Sequence, residues 1–120
     1  MIEFLCDYHL ENGVDKISQL EYSKLLDEGN NFCVKINGKV FFEQPLFPVM
    51  EFLYFYLKWD KKHDFIYNTI ESEENPMISF KRGISGWRID SVWKQFDCKE
   101  RFRVEDFIMA VEKMIDNISN

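Results

Sequence analysis

A chain of 120 residues, 46% of them apolar and with a formal net charge of −6, has the size and composition of one folded domain. The apolar fraction excludes a disordered acidic tail, and the negative charge disfavours general nucleic-acid binding unless the fold conceals a basic patch. Aromatic residues are abundant, at 17% of the chain. We therefore expect a single globular domain over residues 1–120.

The cysteines and the apolar segments indicate where the protein resides. Cys6, Cys33 and Cys98 are odd in number and lack the C-x-x-C spacing of a zinc site, and Cys98 lies among charged residues where its thiol could be exposed. The N-terminal residues lack the basic start of a secretory signal. The apolar run at residues 46–59 is shorter than the roughly 20 residues of a membrane-spanning helix. We expect a reduced, soluble, cytoplasmic protein.

The first half of the chain carries one strand pattern, one helix signal and one hairpin signal. The N-terminal residues alternate between apolar and polar, as in a half-buried strand. Ser18 and Glu21 have the spacing of a capping box, which predicts a short helix. Asn37 and Gly38 separate two β-rich runs, which predicts a hairpin with a type I′ turn. The predicted strand, helix and hairpin strands cover residues 2–8, 19–28, 32–36 and 39–43.

The second half begins with a segment that is apolar on nearly every helical face and has Pro48 in its first turn. Such a helix is buried on more than one side or presents a face to a partner. Three β-rich runs follow, joined by an acidic loop and a glycine-bounded turn, which predicts a meander. Apolar residues then repeat at steps of three and four, as in an amphipathic helix. The predicted helices cover residues 49–59 and 104–118, and the strands cover 64–70, 77–82 and 87–93.

These elements follow the order β-α-β-β-α-β-β-β-α. Hairpins and a meander favour antiparallel pairing, with the helices packed against the strands. The sequence therefore predicts an α+β fold with a mainly antiparallel sheet of about six strands and three helices.

Few residue patterns point to catalysis. His9 and His63 lack metal-binding spacing, and the chain has no nucleophile elbow, phosphate-binding loop or dinucleotide-binding glycine motif. Glu71, Glu73 and Asp90 could hold a hard cation or act as an acid and a base, but like charges on a loop are usually just solvated. We therefore expect a protein that is not an enzyme and needs no cofactor or metal. A small metal-dependent enzyme that uses the acidic loop stays open as an alternative.

The negative charge is concentrated in two segments. Residues 1–30 have a net charge of −5 and residues 71–80 a net charge of −3, whereas residues 31–70 and 81–120 each have a net charge of +1. Acidic surface patches attract basic partners and accelerate association. The alternative is that this charge only keeps the protein soluble.

One long stretch supports a family resemblance. The segments FCVKINGKVFFEQPLFPVMEFLYFYLKW and DFIYNTIESEENPMISFKRGISGWRIDSVWKQF, within about residues 32–96, resemble small proteins of Gram-positive bacteria. Those proteins are similar to immunity proteins of polymorphic-toxin and contact-dependent inhibition systems, in their small size, acidity, aromatic content, α+β build and lack of catalytic motifs. The resemblance implies a protein that binds a toxin domain made by the same cell and blocks it. Many such toxins are basic nucleases, which suits an acidic inhibitor.

The resemblance also implies a toxin-binding surface. Its glutamates would face basic groups that normally hold phosphates, its aspartates would extend the surface, and a tryptophan would be an aromatic anchor unless it belongs to the core. The partner would be a protein, with no direct contact to nucleic acid or membrane. A homodimer or a homo-oligomeric module that uses the apolar helix at residues 49–59 remains an alternative. The proposed toxin-binding residues are Glu71, Glu73, Glu74, Asp60, Asp64, Trp87 and Trp93.

Overall fold

The computed structural model describes residues 1–10, 13–21, 25 and 29–119, which form two three-stranded antiparallel sheets and two α-helices around a shared core. Sheet A has the strand order β1-β2-β3 and sheet B the order β4-β5-β6. The elements in chain order are β1 (Ile2–Cys6), a 3-10 helix (Val14–Gln19), β2 (Asn30–Ile36), β3 (Lys39–Phe47), α1 (Val49–Lys58), β4 (Phe65–Tyr67), β5 (Ile78–Gly83), β6 (Gly86–Asp90) and α2 (Val104–Ile118). The predicted α+β class is confirmed.

Sheet A is built around the predicted hairpin. Asn37 and Gly38 have φ angles of 52° and 83°, the left-handed values that both central residues of a type I′ turn require. β1 then pairs antiparallel with β2 along its whole length. The side chains of Phe32 and Val34 on β2 point into the core. Successive residues of this strand thus alternate between the buried and the outer face of the sheet.

Sheet B is the predicted meander, but its first strand is shorter than expected. β4 ends at Tyr67 because the next buried backbone N–H, that of Thr69, donates to the side chain of Asn75 and not to a neighbouring strand. On β6, which ends at Asp90 and not at residue 93 as expected, Trp87 and Ile89 face the core and Arg88 faces outward.

The prediction of three helices is wrong for the described residues, which contain two α-helices and a six-residue 3-10 helix. Ser18 lies inside the 3-10 helix and does not begin a new one. The chain becomes extended at Leu20, after Ile17 has been buried, so no α-helix begins at residue 19. Residues 22–24 and 26–28 of the predicted helix lie outside the described residues.

The core is dominated by aromatic rings from both sheets and both helices. Phe107 of α2 stacks on Phe80 of β5, with 4.4 Å between ring centroids, and meets Phe4 of β1 edge to face at 5.5 Å. Each such aromatic pair contributes about 0.5–1.5 kcal/mol beyond its buried area. α2 therefore connects the two sheets through one ring.

α1 packs into the core, which is the first of the two alternatives that its apolar faces left open. Phe52 and Tyr56 are fully buried, and the side chain of Glu51 is buried beside them. The Tyr67 hydroxyl donates a hydrogen bond of 2.5 Å to the Glu51 side chain, which satisfies a polar group that is costly to bury unbonded. No helix in the described part of the chain has the length and apolarity needed to cross a membrane.

Candidate functional site

The acidic loop between β4 and β5 is held in shape by its own polar side chains. The Asn75 amide accepts a hydrogen bond of 2.9 Å from the Thr69 N–H and donates to the carbonyls of Thr69 and Ser72, at 3.1 and 2.9 Å. The hydroxyl of Thr69 accepts from the Glu71 N–H, and that of Ser72 from the Glu74 N–H. The backbone is therefore organised from inside the loop, which leaves the carboxylates free to point outward.

The three glutamates of this loop are exposed, and one of them contacts a tryptophan. Glu71, Glu73 and Glu74 all face solvent. The indole N–H of Trp93 donates a hydrogen bond to the Glu74 carboxylate. Next to it, the Val92 N–H donates to the Pro76 carbonyl at 3.0 Å and attaches the segment after β6 to the loop. Four of the predicted toxin-binding residues are thus brought together.

Apolar side chains are also exposed on the segments that meet at this loop: Leu46 near the end of β3, Ile70 before Glu71 and Val92 before Trp93. Leu46 is 76% exposed, Ile70 70% and Val92 42%. A cavity of about 130 Å³ opens here, lined by Gln44, Leu46, Phe47, Pro48, Thr69, Glu71, Ser72, Met77 and Trp93. An apolar centre with a polar rim is the usual anatomy of a protein-binding patch. We call this patch the acidic loop surface: Leu46, Ile70, Val92 and Trp93 with Glu71, Glu73 and Glu74.

The two predicted aspartates lie elsewhere. Asp64 precedes β4, and its carboxylate accepts a hydrogen bond of 2.9 Å from the Arg82 N–H near the end of β5. Since β4 and β5 run antiparallel, this is the opposite end of sheet B from the acidic loop. Asp60 is in the connection that leads to Asp64. The expected extension of the acidic surface to Asp60 and Asp64 is therefore not met.

Asp60 instead organises the connection between α1 and β4. Its carboxylate accepts hydrogen bonds from the backbone N–H groups of His63 and Lys62 and lies 2.5 Å from the His63 Nδ1. The backbone bonds from His63 and Lys62, followed by the bond to the imidazole, hold the Asp60 pKa far below its usual range. The same carboxylate raises the pKa of His63 by its hydrogen bond and its charge. This ion pair shapes a turn and lies far from the acidic loop surface.

The two predicted tryptophans have different roles. Trp87 is only 9% exposed and stacks on Phe80, with 5.2 Å between ring centroids and 13° between ring planes. Its ring therefore belongs to the core. Trp93 is half-buried at the edge of the cavity and is the tryptophan that could anchor a partner.

The groups proposed for a metal-dependent enzyme are not assembled. Within the described ranges, no three His, Cys, Asp or Glu side chains come close enough to hold a metal ion. The Asp90 carboxylate lies 3.1 Å from the Lys94 ammonium, which gives it a partner other than Glu71 or Glu73. The thiol of Cys98 is buried, contrary to its charged sequence context.

The sequence did not reveal a second charged surface. Lys81 of β5 lies directly opposite Arg88 of β6, and Arg82 next to Lys81 is exposed as well. The glycine-bounded turn between β5 and β6 is the local signal that implies this pairing.

Comparison with known proteins places the chain in one family. No curated protein and no solved structure matches it. A family model described as a domain of unknown function, DUF7878, matches residues 6–120. Because this match covers nearly the whole chain, the protein belongs to the DUF7878 family.

Proposed function

We propose that this protein is an immunity protein, which binds a cognate bacterial toxin domain stoichiometrically and blocks it through the acidic loop surface. The observation that carries the proposal is the combination of an exposed apolar centre with three carboxylates on one internally bonded loop. If the toxin is a basic nuclease, its surface presents cationic groups that normally hold phosphates. The three glutamates would then pair with those groups.

The energetics of such a complex follow from this arrangement. A loop that is already ordered loses little conformational freedom on binding, so less of the contact energy is offset. The apolar side chains of Leu46, Ile70 and Trp93 would supply the buried contacts. Trp93 would be the anchor, because aromatic residues are enriched among the residues that contribute most to binding. The carboxylates would accelerate the encounter with a basic partner and make it sensitive to salt.

A rescue assay tests the function. The compact domain encoded beside this gene is induced in a bacterial host with and without this chain, and the two proteins are then purified together. Survival only in the presence of this chain, with recovery of a one-to-one complex, is the expected result. A neighbouring domain that is harmless, or that kills in both cases, would refute the immunity role.

Binding measurements with purified variants test the surface. Trp93→Ala is expected to weaken the complex by about 30-fold or more, because a central aromatic anchor is worth about 2 kcal/mol or more. Glu71→Lys/Glu73→Lys is expected to lower the association rate and to reduce its salt dependence. The matched control, Glu43→Lys/Glu105→Lys, changes the same charge at exposed positions on β3 and α2 and is expected to bind more nearly like the wild type. If the loop variants bind the toxin as tightly as the control variant does, the acidic loop surface is not the binding site, although the immunity role would still stand.

A further inference from the structure

A row of three cations crosses the end of sheet B that lies away from the acidic loop. Lys81 is opposite Arg88 in the β5–β6 ladder. Trp87 and Phe102 exchange backbone hydrogen bonds of 2.8 and 2.9 Å, and both side chains are buried. On β6, Trp87 and Ile89 are buried, so Arg88 between them faces outward. Arg82, next to Lys81 on β5, is also exposed. We call Lys81, Arg82 and Arg88 the basic row.

In the described part of the chain, the basic row has no neutralising partner. Among the described residues, no carboxylate lies within 4.0 Å of the three charged groups. The acids of this region are already engaged: Asp64 with the Arg82 N–H, Asp90 with Lys94 and Asp106 with Arg103. Like charges directly opposite each other destabilise a strand pair, so an acidic partner would relieve a repulsion that the isolated chain retains.

An aliphatic residue projects beyond this row. Gly83 pairs with Gly86, which leaves Ile84 and Ser85 as the two-residue tip of the β5–β6 hairpin. Ile84 is fully exposed, and Arg82 next to the tip is exposed as well. The hairpin tip thus combines one unburied aliphatic side chain with a surrounding group of cations.

The chain itself carries the complement of this tip. The acidic loop surface lies at the other end of sheet B, where three exposed carboxylates lie on the loop that borders a cavity of about 130 Å³ lined by both apolar and polar side chains, Leu46 and Trp93 among them. We propose that the chain associates head to tail with a second copy, so that Ile84 of one copy enters this cavity of the next. Lys81, Arg82 and Arg88 then face Glu71, Glu73 and Glu74. A phosphate polymer would match the cations but not the aliphatic tip.

The geometry determines the kind of assembly. The two surfaces are different and lie at opposite ends of one sheet, so the contact is heterologous. A head-to-tail pair therefore keeps one hairpin tip and one loop surface free for further copies. The contact would compete with a toxin for the acidic loop surface, but it does not depend on the proposed immunity function. It is measured with the purified chain alone.

Sedimentation velocity over a wide concentration range tests the proposal. The wild-type mass is expected to rise above that of one chain at high concentration in low salt, and to fall back when salt is added, because the contact is largely electrostatic. Ile84→Asp and Glu71→Lys/Glu73→Lys are each expected to stay at the mass of one chain. Leu5→Asp, at an exposed position on β1 of sheet A, is the control and is expected to associate like the wild type.

Mixing the two defective variants provides the decisive measurement. The first variant retains the loop surface and the second retains the hairpin tip, so together they are expected to form a one-to-one pair that cannot grow further. Circular dichroism of each variant confirms that it is folded. A wild type that stays at the mass of one chain throughout, or folded variants that do not pair when mixed, would overturn the proposal. Binding of an RNA oligonucleotide to the basic row without self-association would overturn it also, and would assign the row to phosphates.

Discussion

Replacing Asn75 by alanine is the most direct test of how the acidic loop is held. The substitution removes three hydrogen bonds to the backbone of Thr69 and Ser72. Each such bond contributes about 1 kcal/mol net, and the Thr69 N–H is left without its partner in a buried residue. Because Asn75 is only half-buried, water can replace part of the loss. We expect Asn75→Ala to lower the free energy of unfolding by about 2–3 kcal/mol.

Urea unfolding followed by circular dichroism measures this change. Glu73→Ala is the matched control, because it alters an exposed side chain of the same loop, and its effect is expected to stay within about 0.5 kcal/mol. If the loop is the binding surface, Asn75→Ala should also weaken partner binding, whereas a purely structural loop would lose stability alone. If Asn75→Ala changes the free energy of unfolding no more than Glu73→Ala does, these hydrogen bonds do not hold the loop.

Three further predictions concern the core and one surface pair. Tyr67→Phe removes the hydrogen bond of 2.5 Å to the buried Glu51 side chain. The free energy of unfolding measured in urea should therefore fall by about 1.5–3 kcal/mol. No change would mean that another group replaces the hydroxyl. Gly29→Ala places a Cβ 2.5 Å from the backbone carbonyl carbon of Leu46, near the end of β3. The melting temperature should therefore fall by several degrees, at about 4–8 °C for each kcal/mol of stability lost. An unchanged melting temperature would exclude this close contact. In an NMR titration His63 should show a pKa above its usual range, and Asp60→Asn should lower it, because the raised pKa comes from that carboxylate. The stabilisation that comes from the raised His63 pKa is complete at pH values below the ordinary histidine pKa. It is lost as the pH rises through the raised pKa. If Asp60→Asn leaves the His63 pKa unchanged, the two side chains do not form this pair.

Several elements could be predicted because their signals are local. The Asn37-Gly38 turn needs only two residues that tolerate positive φ, and the helix at residues 104–118 needs only a repeat of apolar residues along its own length. The capping-box signal at Ser18 is just as local, yet no helix begins there. At that position the burial of Ile17 decides the backbone, and a local preference worth about 1 kcal/mol does not outweigh the packing of a core side chain.

The candidate site shows the same division. The sequence places three glutamates on one exposed loop, because a run of acids beside a proline has few other stable environments. Nothing in the order of residues indicates that Leu46 at the end of β3 lies beside that loop, or that its neighbours form a cavity with Trp93. Only the packing of sheet A against the loop of sheet B brings these side chains together.

What the sequence determined by itself is the six strands, the two α-helices and the buried side of most of them, since periodicity and turn residues act within a few positions. The tertiary structure decided which charged and aromatic residues become neighbours. It buried Trp87, left Trp93 at the surface, and separated Asp60 and Asp64 from the glutamates. These outcomes depend on how α2 and the two sheets pack around Phe107. Such packing is a sum of many weak contacts between residues far apart in the chain, and no local pattern records it.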